Sequence, residues 1–143
     1  MIKTISTLFI MMITVFPSVQ EKQVEDNSHF VELSVENISK KWLLDKHKIF
    51  FRSYPPAENE KGDYIYFDKQ MIYTSVSEGI YDEGTWQLDK RSKRIFISSK
   101  NEKGELIFII KELSKKKLVL VIDDDSDSDT KYLKIHFRAV GNK

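Results

Sequence analysis

From residue 41 onward the chain reads as eight short β-rich runs, joined with one exception by links of hairpin length. The runs cover residues 41–52, 63–68, 70–76, 80–89, 93–99, 105–113, 116–123 and 131–140. Each is rich in Ile, Val, Phe and Tyr and is bounded by turn formers. The links "KRS", "KNEKG", "SKK" and "DDSDSD" suit hairpin loops. The exception is "SYPPAENEKG", where Pro55 and Pro56 remove ladder donors and impose an irregular path.

Sequential strands with such links form an up-and-down meander. Left open, a sheet of eight twisted strands exposes two edges that invite pairing with other chains. Closing it removes both edges and leaves an interior for side chains or one small ligand. A two-layer sandwich is the other closure, but it needs longer crossing connections, which are mostly missing. The expected fold is therefore all-β: an eight-stranded up-and-down antiparallel β-barrel, preceded by a short N-terminal helix.

Period-two alternation assigns an inner face. Leu106, Phe108 and Ile110 share a side, as do Leu118, Leu120 and Ile122, and Leu133, Ile135 and Phe137. Lys134, His136 and Arg138 point the other way. Gly84, Trp86 and Leu88 fall together, with Gly84 relieving crowding or permitting a bend. The runs "LIFII" and "LVLVI" are apolar on both faces, so their outer side needs cover from the N-terminal helix or from a partner.

The first twenty residues belong to a different class. Lys3 supplies one positive charge, and "TISTLFIMMITVF" then runs apolar up to Pro17. That is short of the ~20 residues a membrane span needs, and right for the apolar core of a signal peptide. The alternatives are a buried helix or an uncleaved anchor. Residues 1–20 are expected to be a signal peptide, 21–36 a polar leader and short helix, and 37–143 the barrel domain. In "SHFVELSVENISK" Phe30, Leu33 and Ile38 recur at helical spacing, and Ser28 is placed to cap the helix.

The chain is 143 residues long, enough for one domain with its own core. A formal charge of +1 gives no electrostatic footprint for nucleic acid. With no cysteine there are no disulfides, thiolate metal sites or cysteine nucleophiles, and no cysteine-linked lipid anchor. A secreted or periplasmic protein that is not a lipoprotein is expected, with no integral membrane span once the signal is cleaved.

The stretch from residue 40 to residue 140 resembles the bacterial lipocalin-like domains, small secreted members of the wider lipocalin superfamily. The likeness rests on Trp42 in "SKKWLL", on Arg138 in "HFRAV", and on the middle run "YIYFD", "MIYTS" and "GTWQLD". Trp42 sits where the family has the tryptophan of its "GxW" motif, with Lys40 in place of the glycine. The resemblance implies that Trp42 plugs one end of the barrel and that Arg138, from the last strand, packs across the indole. Such a pair is a structural closure.

Chemistry is sparse by comparison. "DDDSDSDT" places five aspartates between residues 123 and 129, but glycine is absent at loop position 6 and Lys134 stands where the closing glutamate belongs. The stretch reads as a hairpin tip, with a weak cation site as the alternative. His29, His47 and His136 are scattered, and no nucleophile elbow or phosphate loop is present. No enzymatic activity, cofactor or metal is expected. What remains is binding: Phe67, Tyr73, Trp86, Phe108, Leu120 and Ile135 are the candidate lining for a small apolar molecule. Alternatively, the aromatics fill a solid barrel that serves as a structural module or meets a protein partner.

Overall fold

The computed structural model describes residues 30–124 and 132–141. The leader, Ser28, His29 and most of the aspartate-rich stretch lie outside the described residues. The elements run α1 (Val35–Ile38), β1 (Lys41–Ile49), β2 (Arg52–Tyr54), a 3-10 turn (Glu58–Glu60), β3 (Tyr64–Phe67), β4 (Ile72–Ser77), β5 (Ile80–Asp89), β6 (Arg94–Ser99), β7 (Glu105–Leu113), β8 (Lys117–Ile122) and β9 (Leu133–Ala139). Strands β3 to β9 pair antiparallel in sequence order, and β1 joins β3 to β9. Together β1 and β3–β9 make a closed eight-stranded antiparallel barrel.

The expected first run, 41–52, divides. β1 stops at Ile49, Phe50 adopts φ 53, and β2 turns back to pair Arg52 with Ile49. A left-handed phenylalanine costs energy that an unbroken strand avoids. Here β2 seals the outer part of an edge that β3 leaves uncovered: β3 pairs with Lys41–Leu43, and β2 with His47–Ile49.

The helix is also shorter than its periodicity implies. α1 is a single turn capped by Ser34, whose hydroxyl accepts from the Asn37 amide at 3.2 Å. Upstream, Phe30 bridges Ser114 and the Val31 amide donates to the Leu113 carbonyl, so this segment bonds to the barrel end instead of coiling. Ile38 is fully buried, and Val31, Leu33 and Val35 pack against the core.

Inside the barrel the alternation holds as expected on most strands. Leu118 and Leu120 are fully buried, Phe108, Ile110 and Phe137 nearly so, and Arg138 and Lys134 are exposed. The outward Val119 and Val121 are buried as well. Two bulges break the alternation, one between Leu44 and Lys46 and one between Ile110 and Glu112.

Gly84 sits between Tyr73 and Ser99 in neighbouring strands. A Cβ there would overlap the Ser98 carbonyl, which is backbone and cannot swing away. Gly84→Ala should therefore destabilise the fold by about 3 kcal/mol, the upper range for forced overpacking. Chemical denaturation checks this; a loss below about 0.5 kcal/mol would mean the strands do not approach so closely.

Candidate functional site

The two halves of the barrel are filled differently. Trp42, Phe67 and Trp86 are fully buried in one half, with Phe67 and Trp86 ring centroids 5.0 Å apart. Each indole N–H reaches a carbonyl at 2.9 Å, Trp42 to Ile38 and Trp86 to Asp68. Buried tryptophans need such partners, and these two bonds pin α1 and the β3–β4 turn to the core. This half is packed shut.

The cation above Trp42 is not the expected one. Arg138 lies opposite Leu43 in the β1–β9 register, on the outer face of β9, while Trp42 of β1 points inward opposite Ala139, and the arginine side chain is exposed. The Lys40 ammonium instead sits 5.1 Å from the Trp42 ring centroid, 3.4 Å from the Lys115 carbonyl. Burial, and secondarily the neighbouring Lys115 charge, hold the Lys40 pKa below its ordinary value. The closure pair is thus Lys40 with Trp42, and Arg138 takes no part in it.

The other half holds a cavity of about 560 Å³ that opens to solvent. Its apolar wall is made by Ile65, Ile97, Phe108, Ile135 and Phe137. Of the candidate lining residues, Tyr73, Phe108 and Ile135 face this space. Phe67, Trp86 and Leu120 do not; all three are fully buried in the packed core.

Polar groups interrupt the apolar wall. The Tyr73 hydroxyl donates to Ser75 Oγ at 2.7 Å. Burial pushes the Tyr73 phenol above its ordinary pKa; the hydrogen bond to Ser75 pulls the other way by less, and the charges of Asp82 and then Glu102 add smaller upward pushes. The Ser99 hydroxyl donates to Asp82 Oδ1 at 2.7 Å and accepts from the amides of Asn101 and Glu102. One serine thereby fixes both Asp82 and the loop that carries Glu102. Asp63, largely buried, accepts the Glu78 amide with both carboxylate oxygens at 3.1 Å. That ties the start of β3 to the β4–β5 turn, where Glu78 and Gly79 both have positive φ.

At the rim His47 Nε2 lies 2.8 Å from Glu60 Oε2. The bond from His47, then one from the Ala57 amide, holds the Glu60 carboxyl below its ordinary pKa. His47 reaches the cavity because the β1 bulge resets the alternation after Leu44. Simple period-two reading assigns it outward.

Ser75 and Asp82, by contrast, carried a sequence signal. Ser75 is two residues from Tyr73, and Asp82 two from Gly84, so both fall on inner faces. A polar residue at an inward position marks the half that holds the cavity.

The acidic stretch after β8 offers less. Asp123 accepts from Arg94 Nε at 2.8 Å, and residues 125–130 lie outside the described residues. Among the described residues no three His, Asp or Glu side chains are grouped to hold a metal, and no helix is long and apolar enough to cross a membrane.

No family model matches the chain, and no curated protein matches it. Solved structures similar to it include a DUF4847 family protein from Bacteroides vulgatus, with a TM-score of 0.54 and 14% identity over 75% of this chain and 96% of that one. A protein from Bacteroides uniformis gives 0.52 and 15%, covering 76% of this chain and 94% of its own. At such identities the likeness establishes the barrel and says nothing of activity.

If Lys40 is the cation that covers the indole, Lys40→Ala should cost about 1 kcal/mol and Arg138→Ala less than about 0.5 kcal/mol. Equilibrium denaturation of both variants gives the comparison; the reverse order would restore the arginine to the closure.

Proposed function

We propose that this is a secreted, non-catalytic binding protein that carries a small, largely apolar molecule in the open half of its barrel. The observation that carries the reading is the cavity itself. At about 560 Å³ it lies within the ~300–1,000 Å³ common for small-molecule sites, and an apolar wall with a few converging polar groups is the usual composition. The filled half supports the same reading, because a rigid floor of Trp42, Phe67 and Trp86 keeps the space above it from collapsing. A packed barrel used only as a structural module has no need of such a space.

Export is part of the proposal. It is supported by Lys3 and the apolar run ahead of Pro17. The lipocalin-like relationship is supported by the meander order, the β1–β9 closure and a tryptophan near the start of β1.

Leu106 stands at the cavity wall and is partly exposed, opposite Ile97. Filling the mouth from this position should abolish binding without touching the packed half. Titration with an uncharged, environment-sensitive apolar dye should show saturable uptake by the wild type and none by Leu106→Trp, with unchanged far-UV circular dichroism and melting. Absence of saturable uptake by the wild type itself would defeat the proposal.

A further inference from the structure

The apolar wall of the cavity lies beneath a rim of one sign. Six carboxylates line it, those of Glu60, Asp63, Glu78, Asp82, Glu102 and Glu105, against a single lysine, Lys103. The asymmetry is local, because the whole chain carries a formal charge of only +1. The Lys100 ammonium is taken by Glu83 at 2.9 Å, and neither residue lines the cavity. His47 is held to Glu60.

Not all six carboxylates are equally placed. Asp63 is occupied by the Glu78 amide, and Glu60 by His47 and Ala57. Asp82 is bonded through Oδ1, to Ser99 and the Glu83 amide, while Oδ2 takes no bond from a described residue. Glu102 is exposed, and its loop is anchored to the same Ser99. Asp82 faces Ser75, the hydroxyl to which Tyr73 donates, across β4 and β5, and Glu102 follows on the loop that Ser99 anchors beside Asp82. A neutral phenol and two carboxylates thus converge where the apolar wall of Ile97 and Phe108 begins. In a cleft with low-dielectric walls such charges focus the field and concentrate counter-ions. Among the described lining residues an anionic head group would find one ammonium, that of Lys103.

We infer that the ligand of this cavity is a cationic amphiphile, an amine or quaternary ammonium head seated between Asp82, Glu102 and Tyr73 with its apolar body against Ile97, Phe108 and Phe137. This rests on the reading of the cavity as a ligand site and adds the sign of the ligand's charge. An aromatic wall suits the assignment, since the faces of Phe108 and Tyr73 attract cations as well as apolar groups.

Calorimetric titration of the protein with octylammonium, 1-octanol and octanoate separates the two claims, because the three probes share one apolar body. Octylammonium should bind at least about tenfold more tightly than octanoate at low ionic strength. The gap should narrow as salt rises from about 20 mM to about 300 mM, where rim charges are screened. Asp82→Asn with Glu102→Gln should remove most of the gap between octylammonium and octanoate. Should the double variant fail to fold, Glu102→Gln alone touches no hydrogen-bonded side chain and should narrow the gap about threefold. Octanoate binding as tightly as octylammonium, or a gap indifferent to both variants, overturns the inference and leaves the cavity a ligand site. No saturable binding by any of the three overturns both.

Discussion

The barrel depends on β1, which must pair along one edge with β9 from Trp42 to Ile49 while its other edge takes β3 and then β2. The pairings from β3 to β9 are between neighbours in sequence, inexpensive in chain entropy. The β1–β9 contact joins the two ends of the domain and carries the largest loop-closure cost, and the burial of Trp42 helps to offset that cost. The indole faces small Ala139 across the β1–β9 seam and Ile65 across the β1–β3 seam, and it bonds to the Ile38 carbonyl. Lys40 covers the ring from outside, so the tryptophan that closes the barrel is also what the N-terminal segment is fixed to.

From that closure follows the difference between the two halves. The packed half receives the two indoles and Phe67, whose volumes fill the space between eight strands. At the corresponding inward positions of the other half stand Ser75, Asp82 and Ser99, with Asp63 and His47 nearby. These side chains are too short to meet across a barrel, and polar groups facing a water-filled space keep their hydration. The cavity is therefore a consequence of layer composition. Ser75 faces Asp82 directly across β4 and β5, which makes one polar layer of what in the other half is an aromatic one.

The strand order, the closure and most of the inner face were legible in the sequence because hairpin-length links allow few topologies and period-two alternation is local. What escaped was set by single residues in unusual backbone. The bulge after Leu44 turns His47 inward, and nothing in "LLDKHK" announces it. Phe50 in the left-handed region converts a long first strand into β1 and β2. The apolar spacing of 30–38 suggested a helix, but the Val31 amide and Phe30 find partners at the end of β7 and its following turn, and tertiary pairing outweighed local propensity. Of the six candidate lining residues, three face the cavity. Alternation tells inside from outside but not one end of the barrel from the other, so Phe67, Trp86 and Leu120 were right in face and wrong in depth. Arg138 failed for the complementary reason: pairing Trp42 with Ala139 puts the arginine one residue away and on the opposite face.

We propose that a floor of aromatic side chains holds open a half-barrel which carries a small molecule. A native mass spectrum of the protein, purified without detergent from its own host, tests this most directly. The expected spectrum shows a reproducible adduct of a size that fits the cavity, lost on denaturation. A bare polypeptide mass, unchanged on addition of octylammonium, octanol or octanoate, would contradict it.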